Sequence, residues 1–126
     1  MSNRQLINAF KALSDDTRLR VLCLLSRREC CVCEVAQALE IPQPRASRCL
    51  TALYNAGLLK LRKDGAMSLY SIDRSGLGGL SSKLVDAVVD SLKSSETVTR
   101  DAQRLSQARR PGAGRSPAVE LSPRPA

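Results

Sequence analysis

The chain has 126 residues and carries 20 Lys and Arg against 12 Asp and Glu, a formal charge of +8 that favours a polyanionic partner. Its length suits one domain with a modest core, and residues 100–126 hold six of the basic and two of the acidic side chains. The absence of His excludes Ser/His and Cys/His catalytic pairs and imidazole zinc ligands, while two Tyr, one Phe and no Trp disfavour base stacking on single strands.

Leu6, Ile7, Phe10 and Leu13 recur at helical spacing and predict a first helix over about residues 3–13. Ser14, Asp15 and Asp16 bring a capping side chain and two carboxylates to the start of a second. Leu19, Val21, Leu22, Cys23, Leu24 and Leu25 make that helix apolar nearly all round, hence buried. Val32, Val35, Ala36 and Leu39 predict a short third helix that stops before Ile41-Pro42. A fourth runs from about Gln43 to Ala56, with Ala46, Leu50 and Leu53 inward and Gly57 as its stop. Leu59 to Arg62 alternates, Asp64-Gly65 supplies a two-residue hairpin turn, and Met67 to Ile72 returns as a second strand.

From near Ser75, Leu77, Leu80, Leu84, Val88 and Leu92 form a stripe narrow enough for a dimer seam. Asp86 and Asp90 on that helix read as exposed charges paired with Lys83 and Lys93. Residues 97–126 read as a basic Pro-, Ser- and Arg-rich tail, too poor in apolar residues to order itself, which leaves 1–96 as the folded unit. No secretory leader and no run long enough to span a membrane are read, so the expected location is the cytoplasm. The predicted class is mainly α with a small β-hairpin, a winged helix-turn-helix.

On the fourth helix Pro44, Ser47, Arg48, Thr51 and Asn55 lie opposite the apolar stripe. If it enters a major groove of duplex DNA, Gln43, Arg45, Ser47, Arg48 and Thr51 are the candidates to contact bases and phosphates. Arg62 and Lys63 of the wing are candidates for the adjacent backbone.

Five cysteines fall between Cys23 and Cys49, an odd number that suits reduced thiols better than a disulfide framework. Cys30, Cys31 and Cys33, at a helix start, are the candidate metal ligands. Three sulfurs suit the soft, three-coordinate ions As(III) and Sb(III), whereas Zn(II) wants a fourth donor. Residues i and i+2 of a helix point about 200° apart. Cys31 and Cys33 therefore reach one ion only if the first turn of the third helix shifts, which would displace Ser47 and Arg48. Cys23 and Cys49 read as packing residues, and either could substitute as third ligand.

From Leu13 to Asp73, about half the chain, the sequence resembles the ArsR/SmtB family of bacterial metal-responsive repressors. The resemblance rests on Leu13-Ser14-Asp15-Asp16-Thr17-Arg18, Cys31-Val32-Cys33-Glu34, Gln43-Pro44-Arg45-Ala46-Ser47-Arg48-Cys49-Leu50 and Ala56-Gly57-Leu58-Leu59. It implies a homodimer built on the first and last helices, an inverted-repeat operator, and release when metal or metalloid arrives. Arsenic-responsive members carry Glu-Leu-Cys-Val-Cys-Asp-Leu-Cys where this chain has Glu29-Cys30-Cys31-Val32-Cys33-Glu34-Val35-Ala36. Cys31 and Cys33 match, Ala36 replaces the third cysteine, and Cys30 is taken as third ligand from its proximity. Cys49 stands where the family usually has His, and Pro42 where a Ser commonly caps the reading helix.

The expected function is an arsenite- or antimonite-released repressor with no organic cofactor and no enzymatic activity. The alternatives are a Cd(II), Pb(II) or thiol-redox sensor of the same fold, a thiol oxidoreductase working through Cys31 and Cys33, and an arsenite-buffering protein.

Overall fold

A computed structural model describes residues 1–110. Helix α1 (Asn3–Leu13) starts at Ser2, whose side chain accepts from the Gln5 backbone, and α2 (Asp16–Arg27) starts at Asp15, whose carboxylate accepts from Arg18. These caps satisfy amide groups that the first turn leaves without partners. Helix α2 is the central post: Val21, Leu22, Cys23, Leu24 and Leu25 are all buried, as its apolar circumference requires. Helices α3 (Val32–Leu39) and α4 (Gln43–Asn55) follow, with Ala46, Leu50 and Leu53 of α4 fully buried. Glu40 turns the chain between them in the left-handed region, at φ 55°.

Strands β2 (Leu59–Asp64) and β3 (Met67–Ile72) pair antiparallel and form the wing, so the architecture is a winged helix-turn-helix. Asp64 pairs with Met67, which makes Gly65-Ala66 the two-residue loop, one position later than Asp64-Gly65. The shift follows from the core: Leu59 and Ile72 face each other and are both buried, and register fixed there fixes the turn. Gly65 sits at φ 63°, which the tight loop demands and glycine adopts freely.

Strand β1 (Cys30–Cys31) adds to the other side of β3, giving the order β1-β3-β2. Two residues are too few to show strand periodicity, so the sequence reading passes over it. Helix α5 (Leu80–Leu92) begins after a 3₁₀ turn over Gly76–Gly79 rather than near Ser75. Its deeply buried residues are Ser81 and Val85, while Leu77 and Leu84 of the stripe read from the leucines are partly buried against the same core. Asp86 pairs with Arg74 at 2.7 Å, not with Lys83.

The largest departure is α6 (Glu96–Gln107), helical where a disordered tail was expected from residue 97. Ser95 caps it, accepting from Val98, and Leu105 and Ala108 seal against the core. Much of its attachment is ionic: Asp101, 1% exposed, accepts two hydrogen bonds from Arg20 on α2, both at 2.8 Å. Arg104 donates to the Ala38 carbonyl of α3 at 3.3 Å and pairs with Glu40. Residues 111–126, the remainder of the expected tail, lie outside the described residues. Among the described residues no helix is long and apolar enough to cross a membrane.

Replacing Asp101 with Ala removes the carboxylate shared by Arg20 and Arg104, both of which are partly exposed, a defect of about 1.5–3 kcal/mol. The urea midpoint should fall accordingly, and α6 amides should exchange with solvent faster than those of α2 and α4.

Candidate nucleic-acid interface and thiol site

Helix α4 carries the sequence-nominated polar face outward. Gln43, Arg45, Arg48 and Thr51 are exposed and Ser47 is half-buried, while Cys49 turns inward at 7% exposed. Pro42 offers no side-chain cap, but its carbonyl accepts from both Arg45 and Ala46, so the helix starts without the expected Ser. Arg45 donates to the Thr17 hydroxyl of α2 at 2.8 Å, which holds its guanidinium beside the scaffold.

On the wing, Lys60, Arg62 and Lys63 are exposed along β2. Lys63 reaches the Ser68 hydroxyl across the hairpin at 2.7 Å. Arg62 donates from two of its three nitrogens to the two carboxylate oxygens of Glu29, at 2.8 and 2.7 Å. Such bidentate geometry is the one a guanidinium also adopts with a phosphate. Two exposed basic surfaces, the α4 face and the wing, are thus mounted on one scaffold.

The three clustered thiols are placed differently from one another. Cys30 is fully buried in the core cluster, with its Sγ 3.4 Å from the Arg28 carbonyl. Cys31, the next residue of β1 and 3% exposed, is the N-cap of α3. Neighbouring residues of a strand point to opposite faces, so these two sulfurs diverge. Cys33 lies in the first turn of α3, half-buried, with Gln37 Nε2 donating to its Sγ at 3.1 Å. Among the described residues no three Cys, Asp or Glu side chains are gathered to hold a metal ion. The donor chemistry suits a soft ion, and the resting geometry brings Cys31 and Cys33 to one helix end without Cys30. Cys23 and Cys49, the substitute ligands, are buried on α2 and α4.

Burial pushes the Cys30 thiol up to about 12 and the Cys31 and Cys23 thiols up to about 11, because a thiolate loses hydration there. Burial likewise raises Cys49. All four rest as thiols near neutral pH.

Sequence reasoning passed over the polar groups around these thiols. Glu34, 1% exposed, accepts from the Cys31 backbone N–H at 3.0 Å, from Arg28 at 2.9 Å and from Arg110 at 2.9 Å. A Glu three residues after an N-cap is the available signal, since that spacing lets the carboxylate reach back to the cap.

Residues 15–60 match the bacterial regulatory protein, arsR family. A transcriptional repressor SmtB homolog from Synechocystis is 32% identical over 88 residues, spanning 70% of this chain and 67% of that protein. The chain belongs to the arsR family.

Two further relatives of this arsR-family chain are more similar over a shorter span. A cadmium resistance transcriptional regulatory protein CadC homolog from Staphylococcus aureus is 48% identical, covering 51% of this chain. The arsenic resistance transcriptional regulator ArsR1 of Pseudomonas putida is 47% identical, covering 50%. The chain spans about half the length of these two, 54% and 50% respectively.

Among solved structures, the transcriptional repressor BigR from Xylella fastidiosa superposes with a TM-score of 0.62 at 27% identity, covering 74% of this chain and 88% of that one. The homodimeric winged helix-turn-helix DNA-binding domain Mb0332 from Mycobacterium bovis gives 0.60 at 28%, covering 76% and 91%. Members of the arsR family are DNA-binding regulators and not enzymes, which sets aside the thiol oxidoreductase reading.

The raised thiol values carry a sign. In the unfolded chain these cysteines release protons near their ordinary value of about 9, while the folded chain holds them to about 11–12. Their contribution is fully present below about 9 and is lost as pH rises from there to about 11–12. The urea midpoint of the natural chain should fall more steeply between pH 9 and 11 than that of Cys30→Ala.

Proposed function

We propose that this protein is a cytoplasmic, metalloid-responsive transcriptional repressor that binds an inverted-repeat operator as a homodimer. Arsenite or antimonite, taken up by Cys31 and Cys33 with Cys30 as third thiolate, releases it. The observation that carries the reading is where Cys31 stands: it is both the last residue of β1, paired with wing strand β3, and the N-cap of α3. Helix α3 packs on the reading helix α4, and β3 is the centre of the wing. A ligand that moves Cys31 therefore pulls on both basic surfaces.

Three sulfurs meeting on one ion are incompatible with this resting arrangement. Cys30 and Cys31 face opposite ways while both remain in β1, so recruiting Cys30 requires β1 to part from Tyr70 and Leu69. The bound state is thereby tied to a different wing and a different start of α3. Couplings of this kind run to about 1–3 kcal/mol, or roughly 5–150-fold in operator affinity. Gln43, Arg45, Ser47, Arg48 and Thr51 would read the major groove while Arg62 and Lys63 hold phosphates.

The names of the Pseudomonas putida and Staphylococcus aureus relatives leave arsenic and cadmium as rival inducers. Proton balance separates them. Arsenous acid carries three hydroxyls that leave as water with three thiol protons, so no proton enters solution. A cadmium ion on the same thiols releases one proton for each sulfur bound.

Operator DNA retarded by the protein should be freed by arsenite at a midpoint that is nearly the same at pH 6.5 and pH 8. A cadmium midpoint would instead fall about tenfold per pH unit for each proton released. Cys31→Ser and Cys33→Ser should each bind the operator and fail to release it. An arsenite-responsive double variant would remove both residues from the sensor, and a steeply pH-dependent cadmium response with none to arsenite would reassign the inducer.

Homodimerisation is supported by Ile7 and Phe10 on α1, which are 50% and 53% exposed in the single chain. Apolar side chains of this size gain about 1.5–3 kcal/mol each when fully covered. Phe10→Asp should shift the sedimentation coefficient toward monomer and weaken operator binding in parallel, and an unchanged dimer would take α1 out of the interface.

A further inference from the structure

Apart from the operator face and the thiols, the concentration of buried charge on one side of α3 has no assigned role. Arg28 and Glu34 are 5% and 1% exposed, and the Arg110 side chain is 6% exposed. Glu34 binds the Cys31 amide and both arginines. Arg110 donates a further bond to the Glu29 carbonyl at 3.2 Å, one residue before the thiol cluster. Beside it, Gln37 clasps the Arg109 backbone twice, donating to its carbonyl at 2.7 Å and accepting from its amide at 3.0 Å. The same Gln37 nitrogen lies 3.1 Å from Cys33 Sγ.

Upstream, Asp101 and Arg104 moor α6 to α2 and to the end of α3. The segment thus crosses α3 from its C-terminal end to its N-terminal end and finishes at the cysteines. It lies wholly beyond residues 15–60, the part of the chain that matches the family.

We infer that residues 96–110 form a strap that closes the thiol site, with Arg110 and Gln37 as its clasp and Glu34 as the positioning residue it acts through. The inference rests on the proposed function only in taking Cys31 and Cys33 as the sensor. A carboxylate sealed from water needs a cation beside it, and Glu34 has two, in addition to the Cys31 amide. Lifting Arg110 leaves Arg28 in place, so the strap can open at its end without exposing an unpaired charge in the core. Closed, it pins the Cys31 amide through Glu34 and keeps Gln37 against Cys33. A thiophile reaches the pair at full rate only after the clasp has opened, and the strap sets how much ligand is needed to disturb α3.

The test uses the full chain and an uncharged thiol reagent, N-ethylmaleimide, with modification of Cys31 and Cys33 followed by tandem mass spectrometry. Arg110→Ala and, separately, Gln37→Ala should raise the modification rate roughly tenfold, as expected when a local opening equilibrium is eased. Arg100→Ala, which removes an exposed ion pair with Glu96 on the same helix, should leave it unchanged. Gln37→Ala spares the buried ions and decides the matter if Arg110→Ala fails to fold.

Wild-type rates in the folded variants overturn the strap. Faster labelling in the clasp variants, together with an operator complex of the natural chain that arsenite does not release, upholds the strap and overturns the metalloid reading. Release by arsenite with unaltered labelling does the reverse. With both in place, the clasp variants should release the operator at lower arsenite concentrations.

Discussion

A carboxylate shut away from water must be surrounded by donors, and Glu34 meets that demand from three directions at once. Its oxygens take the Cys31 amide, the Arg28 guanidinium and the Arg110 guanidinium. The first of these fixes where α3 starts, the second ties that start to the end of α2, and the third brings the far end of the described chain back to it. The start of α3 in turn places β1 against the wing and, through the turn at Glu40, the first residues of α4. Removing one donor need not unfold the site, because the remaining charge still has a partner. The arrangement is therefore firm as a whole and separable at its edge, as the proposed sensor would require.

The wing is joined to the thiol segment more directly than the turn between α3 and α4 would suggest. Cys31 stands opposite Leu69, and Leu69 opposite Arg62, so the three lie on one rung of the sheet. Residues opposite one another on a rung share a face, and a displacement of one strand is passed along the rung. Glu29, immediately before β1, adds a second tie through its bidentate hold on Arg62. Residues 29–31 thus touch the wing twice, through the pairing of β1 with β3 and through the ion pair on Arg62. In the proposed mechanism, coupling through α3 to α4 and coupling through β1 to the wing would be parallel routes from one short segment.

Most of the scaffold could be read from residue patterns because its elements are long relative to their periods. Leu22, Leu24 and Leu25 on α2, and Ala46, Leu50 and Leu53 on α4, are buried as their spacing indicates. What escaped reading was held by polar contacts or by too few residues. β1 is a strand only because β3 is there to receive it. Helix α6 buries an aspartate rather than a broad apolar stripe, and composition cannot reveal that Asp101 meets Arg20 across 81 positions. The three thiols illustrate the same limit: adjacency along the chain suggested a ready chelate, whereas strand alternation turns Cys30 into the core and leaves Cys31 at the helix start. The Glu34 partnership was half visible, in the three-residue spacing from Cys31, but its arginines come from positions 28 and 110.

Under the proposed function, Glu29 and an operator phosphate would compete for the same guanidinium. Arg62 is 58% exposed on the wing, while its carboxylate partner is only 17% exposed. An exposed ion pair contributes little to stability, since water and salt screen it. Its weakness is what makes exchange feasible: a phosphate can offer Arg62 the same two-oxygen geometry without demanding that a buried bond be broken. Glu29 also sits between Arg28 and Cys30, immediately before the segment that the thiols occupy, and its carbonyl already accepts from Arg28 and Arg110. Any ligand that reorganises this segment therefore changes whether Glu29 can reach Arg62. The state of the cysteines and the charge presented by the wing are set within a few residues of one another, so no long pathway through the core is needed to connect them.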